Sequence, residues 1–186
     1  MNERVRLAGP DDAAAIAAIY APIVTGTWIS FEEVAPDEPE MRARIERATG
    51  RWPFLCAERA GEIAGYAYAY PHRDRAAYRW SIDASVYVAE DYRRGGVARR
   101  LYETLFAILR EQRYYNVFAG ITLPNDASVG FHHRLGFTDV GIYRNVGFKL
   151  GAWRDTIWMQ RVLQLPHGSP EEPVAMRDLN WPGAAP

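Results

Sequence analysis

The sequence predicts a mixed α/β domain built on a largely antiparallel sheet. Three observations carry that prediction. Strand-like and helix-like apolar periods follow one another in the order βαα, ββ, β, α, β, α, ββ. Two strand-like runs, Phe54 to Arg59 and Glu62 to Tyr70, flank a tight turn at Ala60–Gly61 and read as an antiparallel hairpin. From Val97 to Arg113, the residues Val97, Leu101, Leu105 and Ile108 share one helical face, as a helix laid on a sheet requires.

The remaining elements follow in order. Arg4 to Ala8 reads as a first strand. Asp11 or Asp12 caps a helix through AAAIAAIYAPIV, which Pro22 is expected to bend or end. TGTWISFEE, residues 25–33, reads as a glycine-containing loop with exposed aromatics. Pro39 to Ala48 is a second amphipathic helix, closed by Gly50. Ser81 to Val88 and Val117 to Ile121 are strands, and Pro124 to Leu135 is a short helix with Asp126 near its start. Phe137 to Tyr143 and Thr156 to Val162 complete the sheet. Prolines at 166, 170, 173, 182 and 186 argue against regular structure beyond that point. The expectation is one domain over 1–165, with a Pro-rich extension, 166–186, either disordered or docked on the body or a partner.

Bulk properties narrow the function. A chain of 186 residues suffices for one domain with a full core. A net charge of −1 argues against a nucleic-acid partner, and no apolar run approaches membrane-spanning length. The one cysteine, Cys56, cannot form an internal disulfide, and a reducing, cytoplasmic compartment is expected. It lies in an apolar run, LCA, where a thiol belongs to the core more often than it acts as a nucleophile. Four scattered histidines offer no metal spacing, so no metal is expected.

The chemistry concentrates at YRRGGVARRL, residues 92–101. A strand runs into a glycine-containing turn that opens a helix, which presents unpaired backbone N–H groups and a helix dipole to an anion. Gly95 and Gly96 let a phosphate approach the backbone, and Arg93, Arg94, Arg99 and Arg100 add charge. Alone, the pattern equally fits a solvated basic helix start. It is neither a dinucleotide fingerprint nor a P-loop. On the strand before it, alternation puts Asp83, Ser85 and Tyr87 on one face and Ile82, Val86 and Val88 on the other.

Arg93, Arg94, Gly95, Gly96, Val97 and Ala98 match R-x-x-G-x-A, and with them the chain resembles the GNAT N-acetyltransferase family. TGTWISFEE, RAAYRWSIDASVYV, GITLPNDASVGFHHRLGF and VGFKLGAWRDTIWMQ resemble its phosphinothricin and methionine-sulfoximine N-acetyltransferase branch, over roughly residues 4–165. The resemblance implies a central mixed, mostly antiparallel sheet of six to seven strands with about four helices on both faces. It implies acetyl-CoA as cosubstrate, with the pyrophosphate on residues 93–99 and the thioester along Val86, Tyr87 and Val88. Asn125 is expected to hold the pantetheine arm, and Ser128 the same. Asp83 stands where the branch usually carries a glutamate and is the expected general base, and His132 takes the place of the usual tyrosine acid. Arg73, Arg75 and Tyr78 are expected to bind a small carboxylate-bearing acceptor, with Phe31 walling the amine pocket. The branch implies a homodimer. Two alternatives stand beside direct acetyl transfer to a small amino acid: a protein or peptide N-acetyltransferase, and a catalytically silent acyl-CoA-binding protein.

Overall fold

The chain forms a seven-stranded sheet, ordered β1-β2-β3-β4-β5-β7-β6. The computed structural model describes residues 3–181. The strands are β1 (Glu3–Leu7), β2 (Phe54–Arg59), β3 (Glu62–Pro71), β4 (Ser81–Val88), β5 (Asn116–Thr122), β6 (Thr138–Lys149) and β7 (Ala152–Val162), and the helices are α1 (Ala13–Gly26), α2 (Glu38–Ala48), α3 (Val97–Glu111) and α4 (Asp126–Arg134). Every pairing is antiparallel except that of β4 with β5. The expected mixed, mostly antiparallel sheet is therefore the one observed.

Helices cover both faces because alternation gives each central strand two apolar sides. Ala67, Ala69 and Ala84 are small, and beside the larger Ile82 they let Leu101, Leu105 and Ile108 of α3 pack on the sheet. Val129 and Phe131 of α4 join the same cluster. On the other side Phe54, Cys56 and Tyr66 meet Ile16, Tyr20 and Ile23 of α1 and Met41 and Ile45 of α2. Asp37 caps α2 by accepting a hydrogen bond from Glu40 N at 2.9 Å, and Asn125 caps α4 through Ser128 N at 3.2 Å.

The first helix does not end at Pro22 but runs on to Gly26, which excludes one of the two alternatives expected of that proline. Ile23 and Val24 beyond the proline are buried, and that packing offsets the lost backbone bond. The last two strands are longer than expected and meet at a turn where Leu150 and Gly151 have φ of 52° and 73°. Finally, the extension holds a short 3-10 turn, Met176–Asp178, despite its prolines. Met176 is buried, and Gln112 Nε2 donates to Val174 O at 2.9 Å. Pro182 and Pro186 lie outside the described residues.

The feature that positions the site is the brief contact between β4 and β5. They pair only over Ser81–Asp83 against Asn116–Phe118. Beyond Asp83, β4 keeps its ladder with β3 as far as Val88, while β5 keeps its ladder with β7 as far as Thr122. The two strands part, and a wedge opens at the centre of the sheet.

Candidate active site

The wedge is lined by Ala84, Ser85, Val86 and Tyr87 on one side and by Ala119, Gly120, Ile121 and Thr122 on the other. Asn125, Ser128 and His132 of α4 and Tyr102 of α3 close one end, and Ile29 from the loop after α1 lines it as well. The Tyr87 ring itself turns away from the wedge, edge-on to Tyr20 at 4.9 Å and stacked near Tyr66 at 5.3 Å. Tyr87 therefore offers the wedge its backbone.

Past Val88 the chain makes a 3-10 turn, Glu90–Tyr92, and reaches the glycine pair. Arg94 and Gly96 have φ of 61° and 82°, left-handed values that glycine adopts without strain. Gly96 is the N-cap of α3 and supplies no side chain, so the N–H groups of the first helical turn stay open to an anion. A cavity of ≈ 280 Å³ lies there, lined by Val88, Arg93, Arg94, Gly96, Val97, Ala98 and Arg99 and by Phe131 and Arg134 of α4. This donor set fits a diphosphate: bare N–H groups, a positive dipole end and guanidinium groups around one hollow. Arg99 also pairs with Glu103 at 2.7 Å. Arg100 belongs elsewhere, since its guanidinium binds Glu3 of β1 at 2.5 Å and Gly95 O at 2.9 Å.

His132 is buried. Its Nδ1–H donates to Ser128 O at 2.8 Å, which leaves Nε2 unprotonated, 3.3 Å from the Tyr102 hydroxyl. That hydroxyl also lies 3.3 Å from Ala84 O on β4. Burial holds the imidazole below its ordinary value, so it is neutral with its single proton committed to a carbonyl. The deeply buried Tyr102 hydroxyl beside it stays protonated, since burial raises it well above its ordinary value. Tyr102 was hidden in the sequence because it sits within the apolar stripe of α3. His133, by contrast, is exposed and paired with Asp139 at 2.8 Å.

Asp83 sits at the apex of the wedge, directly opposite Phe118 in register. It is 4% exposed, and burial pushes its carboxyl up to about 6, with the His72 hydrogen bond opposing that rise. His72 Nδ1 is 2.6 Å from Asp83 Oδ1. His72 lies in the polar stretch PHRDR, which carries no local sign of a role. Antiparallel pairing of Tyr70 with Asp83 brings residue 72 alongside the strand and is the signal that locates it.

Arg73, Arg75 and Tyr78 gather around a cavity of ≈ 380 Å³ at the start of β4, together with Arg51, Trp52 and Arg79. Arg73 lies over the Trp158 ring at 5.6 Å, and Tyr78 stands edge-on to His72 at 6.2 Å. Phe31 lies against β6, where a Cβ on Gly147 would come within 2.5 Å of its ring. Trp28 is stitched down, donating to Pro124 O at 3.1 Å under the Arg154 guanidinium at 4.3 Å. A larger cavity of ≈ 480 Å³, over Tyr66, Tyr68 and Tyr70 beside Arg44 and Arg47 of α2, lies to one side of the wedge. Among the described residues no group of three or more His, Cys, Asp or Glu is arranged to hold a metal.

The chain matches the acetyltransferase (GNAT) domain family over residues 5–158. It belongs to that family. It is an N-acetyltransferase by the same evidence. The chain is 45% identical over 161 residues to phosphinothricin N-acetyltransferase of Alcaligenes faecalis, covering 86% of this chain and 82% of that protein. It is 35% identical over 172 residues to the L-methionine sulfoximine/L-methionine sulfone acetyltransferase of Pseudomonas aeruginosa, covering 91% of this chain and all of that protein. The GNAT-superfamily phosphinothricin acetyltransferase of Sinorhizobium meliloti, solved with acetyl-CoA, superposes with a TM-score of 0.88 at 32% identity, covering 96% of this chain and 98% of that one. The chain therefore shares its overall fold with a GNAT-family protein solved in complex with acetyl-CoA.

Proposed function

We propose that the protein transfers an acetyl group from acetyl-CoA to the primary amine of a small amino acid or analogue, such as phosphinothricin, methionine sulfoximine or methionine sulfone. The observation that carries this reading is the parting of β4 and β5 beyond Asp83 and Phe118. The reading is also supported by the cavity lined by Arg93 to Arg99 at the end of β4, which suits an anion, and by the arginine-lined cavity of Arg73 and Arg75 at the start of the same strand. The relatives named above act on acceptors of that class.

In this reading the diphosphate of acetyl-CoA rests on the N-terminus of α3 with Arg93, Arg94 and Arg99 around it. Its pantetheine arm follows β4 past Asn125 and Ser128. Backbone N–H groups of the 86–88 segment, unpaired on the wedge side, polarise the thioester carbonyl. The acceptor carboxylate pairs with Arg75 and Arg73, Tyr78 borders it, and Phe31 walls the amine. Asp83 draws off the amine's proton, the nitrogen attacks the thioester carbonyl directly, and the leaving thiolate takes a proton from the Tyr102–His132 side of the wedge. No covalent enzyme intermediate is involved: burial raises the Cys56 thiol to about 12, so no thiolate is available. The lone buried thiol supports a reducing, cytoplasmic setting. Exposed Ile142, Tyr143, Phe148 and Trp153 on the β6–β7 hairpin support a homodimer.

Release of free thiol from acetyl-CoA, measured against a panel of small amino acids and short peptides, tests the reading. Release with methionine sulfoximine or phosphinothricin is expected. Release with peptides alone, or none with any amine, would overturn it.

A further inference from the structure

His72 and Asp83 are joined by a short contact, 2.6 Å from Nδ1 to Oδ1. Asp83 has only 5% of its side chain exposed, against 12% for His72. The ring is held on three sides. It stacks on Phe118 at 4.2 Å and stands edge-on to Trp158 at 5.9 Å and Tyr78 at 6.2 Å. Among the described residues, no protein group hydrogen-bonds to Nε2.

We propose that the base of the reaction is a two-residue unit in which His72 Nε2 takes the proton of the acceptor's ammonium and Asp83 holds the imidazole and steadies the imidazolium. The inference rests on the acetyltransferase reading above and refines it. A carboxylate so enclosed meets an incoming amine poorly, whereas the imidazole relays its basicity outward past the apex of the wedge. Nδ1–H donates to Asp83, which fixes the tautomer and leaves the Nε2 lone pair as acceptor. One N–H bond of R–NH₃⁺ breaks as the Nε2–H bond forms. The freed lone pair then makes the N–C bond to the thioester carbonyl. As the C–S bond breaks, the CoA thiolate takes a proton from the Tyr102 side of the wedge, the second amine proton passes through water to restore that hydroxyl, and the imidazolium returns its proton to water. The ionisable groups facing the pair are Tyr70 from β3, Arg73 next in the chain and Tyr78 from a 3-10 turn, Ala76–Tyr78, before β4. Phe118 of β5 and Trp158 of β7 bring no charge.

His72→Asn separates this role from simple positioning. The asparagine amide occupies the place of Nδ1 and still donates to Asp83, but nothing stands at Nε2. We expect kcat to fall by about 100-fold or more with acetyl-CoA affinity unchanged, the range general-base catalysis supplies. The bell or plateau of rate against pH should give way to a slow rise that tracks free amine alone. In His72→Ala, added imidazole should restore part of the rate in proportion to its neutral fraction. A His72→Asn enzyme within about threefold of wild-type kcat, or a His72→Ala enzyme that imidazole does not rescue, overturns the proposal. A wild-type protein that binds acetyl-CoA yet acetylates no small amino acid overturns the acetyltransferase reading itself, and with it this one.

Discussion

The ammonium of Lys149 lies 2.6 Å from the carbonyl oxygen of Ser30, across 119 positions of sequence. The same nitrogen donates to Val24 O at 2.6 Å and Glu32 O at 2.7 Å. All three ammonium protons are thus used, and one partner belongs to the last turn of α1, where the helix dipole favours a cation. A single lysine at the end of β6 therefore fixes the loop that carries Phe31.

Replacing Lys149 with methionine keeps most of the volume and strands three carbonyls. Thermal or denaturant unfolding should show a loss of roughly 2–4 kcal/mol, the scale of several buried charge-assisted bonds lost together. The acceptor KM should rise because the Phe31 wall loosens, while acetyl-CoA affinity stays put. Equal losses of both affinities would show that the loop does not act on the acceptor side alone.

Gly96 offers a second test. At φ 82° a side chain is strained, and a new Cβ would stand 2.9 Å from an Arg100 guanidinium nitrogen, the movable end of a flexible chain. Gly96→Val should therefore cost only ~1–2 kcal/mol in stability. Its main effect should be steric at the anion cradle: acetyl-CoA affinity, read by calorimetry, should fall at least about tenfold, equivalent to 1.4 kcal/mol. Unchanged affinity would move the diphosphate away from this turn.

Asp83 links the site to stability through pH. Burial raises its carboxyl from 3.8 to about 6 in the folded chain, so between those values the folded state holds more protons than the unfolded one. Its favourable contribution is complete below 3.8 and is lost as pH rises through about 6. A neutral amide at this position escapes that loss, so Asp83→Asn should match wild type near pH 4 and exceed it by about 2 kcal/mol at pH 7. Buried neutral His132 has the opposite slope, losing stability as pH falls below its ordinary range, so the difference between the two proteins is the quantity to plot. A difference that does not vary with pH would mean the carboxyl is not buried as described.

Much of this was legible in the sequence, for reasons that can be named. β2 and β3 were visible because Ala60–Gly61 marks the turn between two apolar runs. β4 was visible to the residue. The glycine turn was visible because paired glycines among arginines have few other uses at a helix start. The outer halves of β6 and β7 were not visible. Arg144, Asn145 and Gly147 interrupt any strand pattern, and β6 is exposed almost throughout, so no alternation betrays it. Arg100 was misread because its partner, Glu3, lies on the opposite edge strand. His72 escaped notice because its meaning comes from the β3–β4 register and the Phe118 ring, neither of which a local pattern contains.

The segment after Pro166 bears on any attempt to change what the enzyme accepts. Glu171 O receives Trp80 Nε1–H at 2.8 Å, Glu172 grips Arg79 at 2.7 Å, and Met176 N and Arg177 N bind Arg51 O and Gly50 O. Arg51 and Arg79 are themselves walls of the arginine-lined hollow. A graft of foreign residues over 72–80 into this chain would meet a brace built for Arg79 and Trp80. If that hollow takes the acceptor, as proposed, changing this chain's specificity means altering two distant stretches together, the rim and the strap that buttresses it.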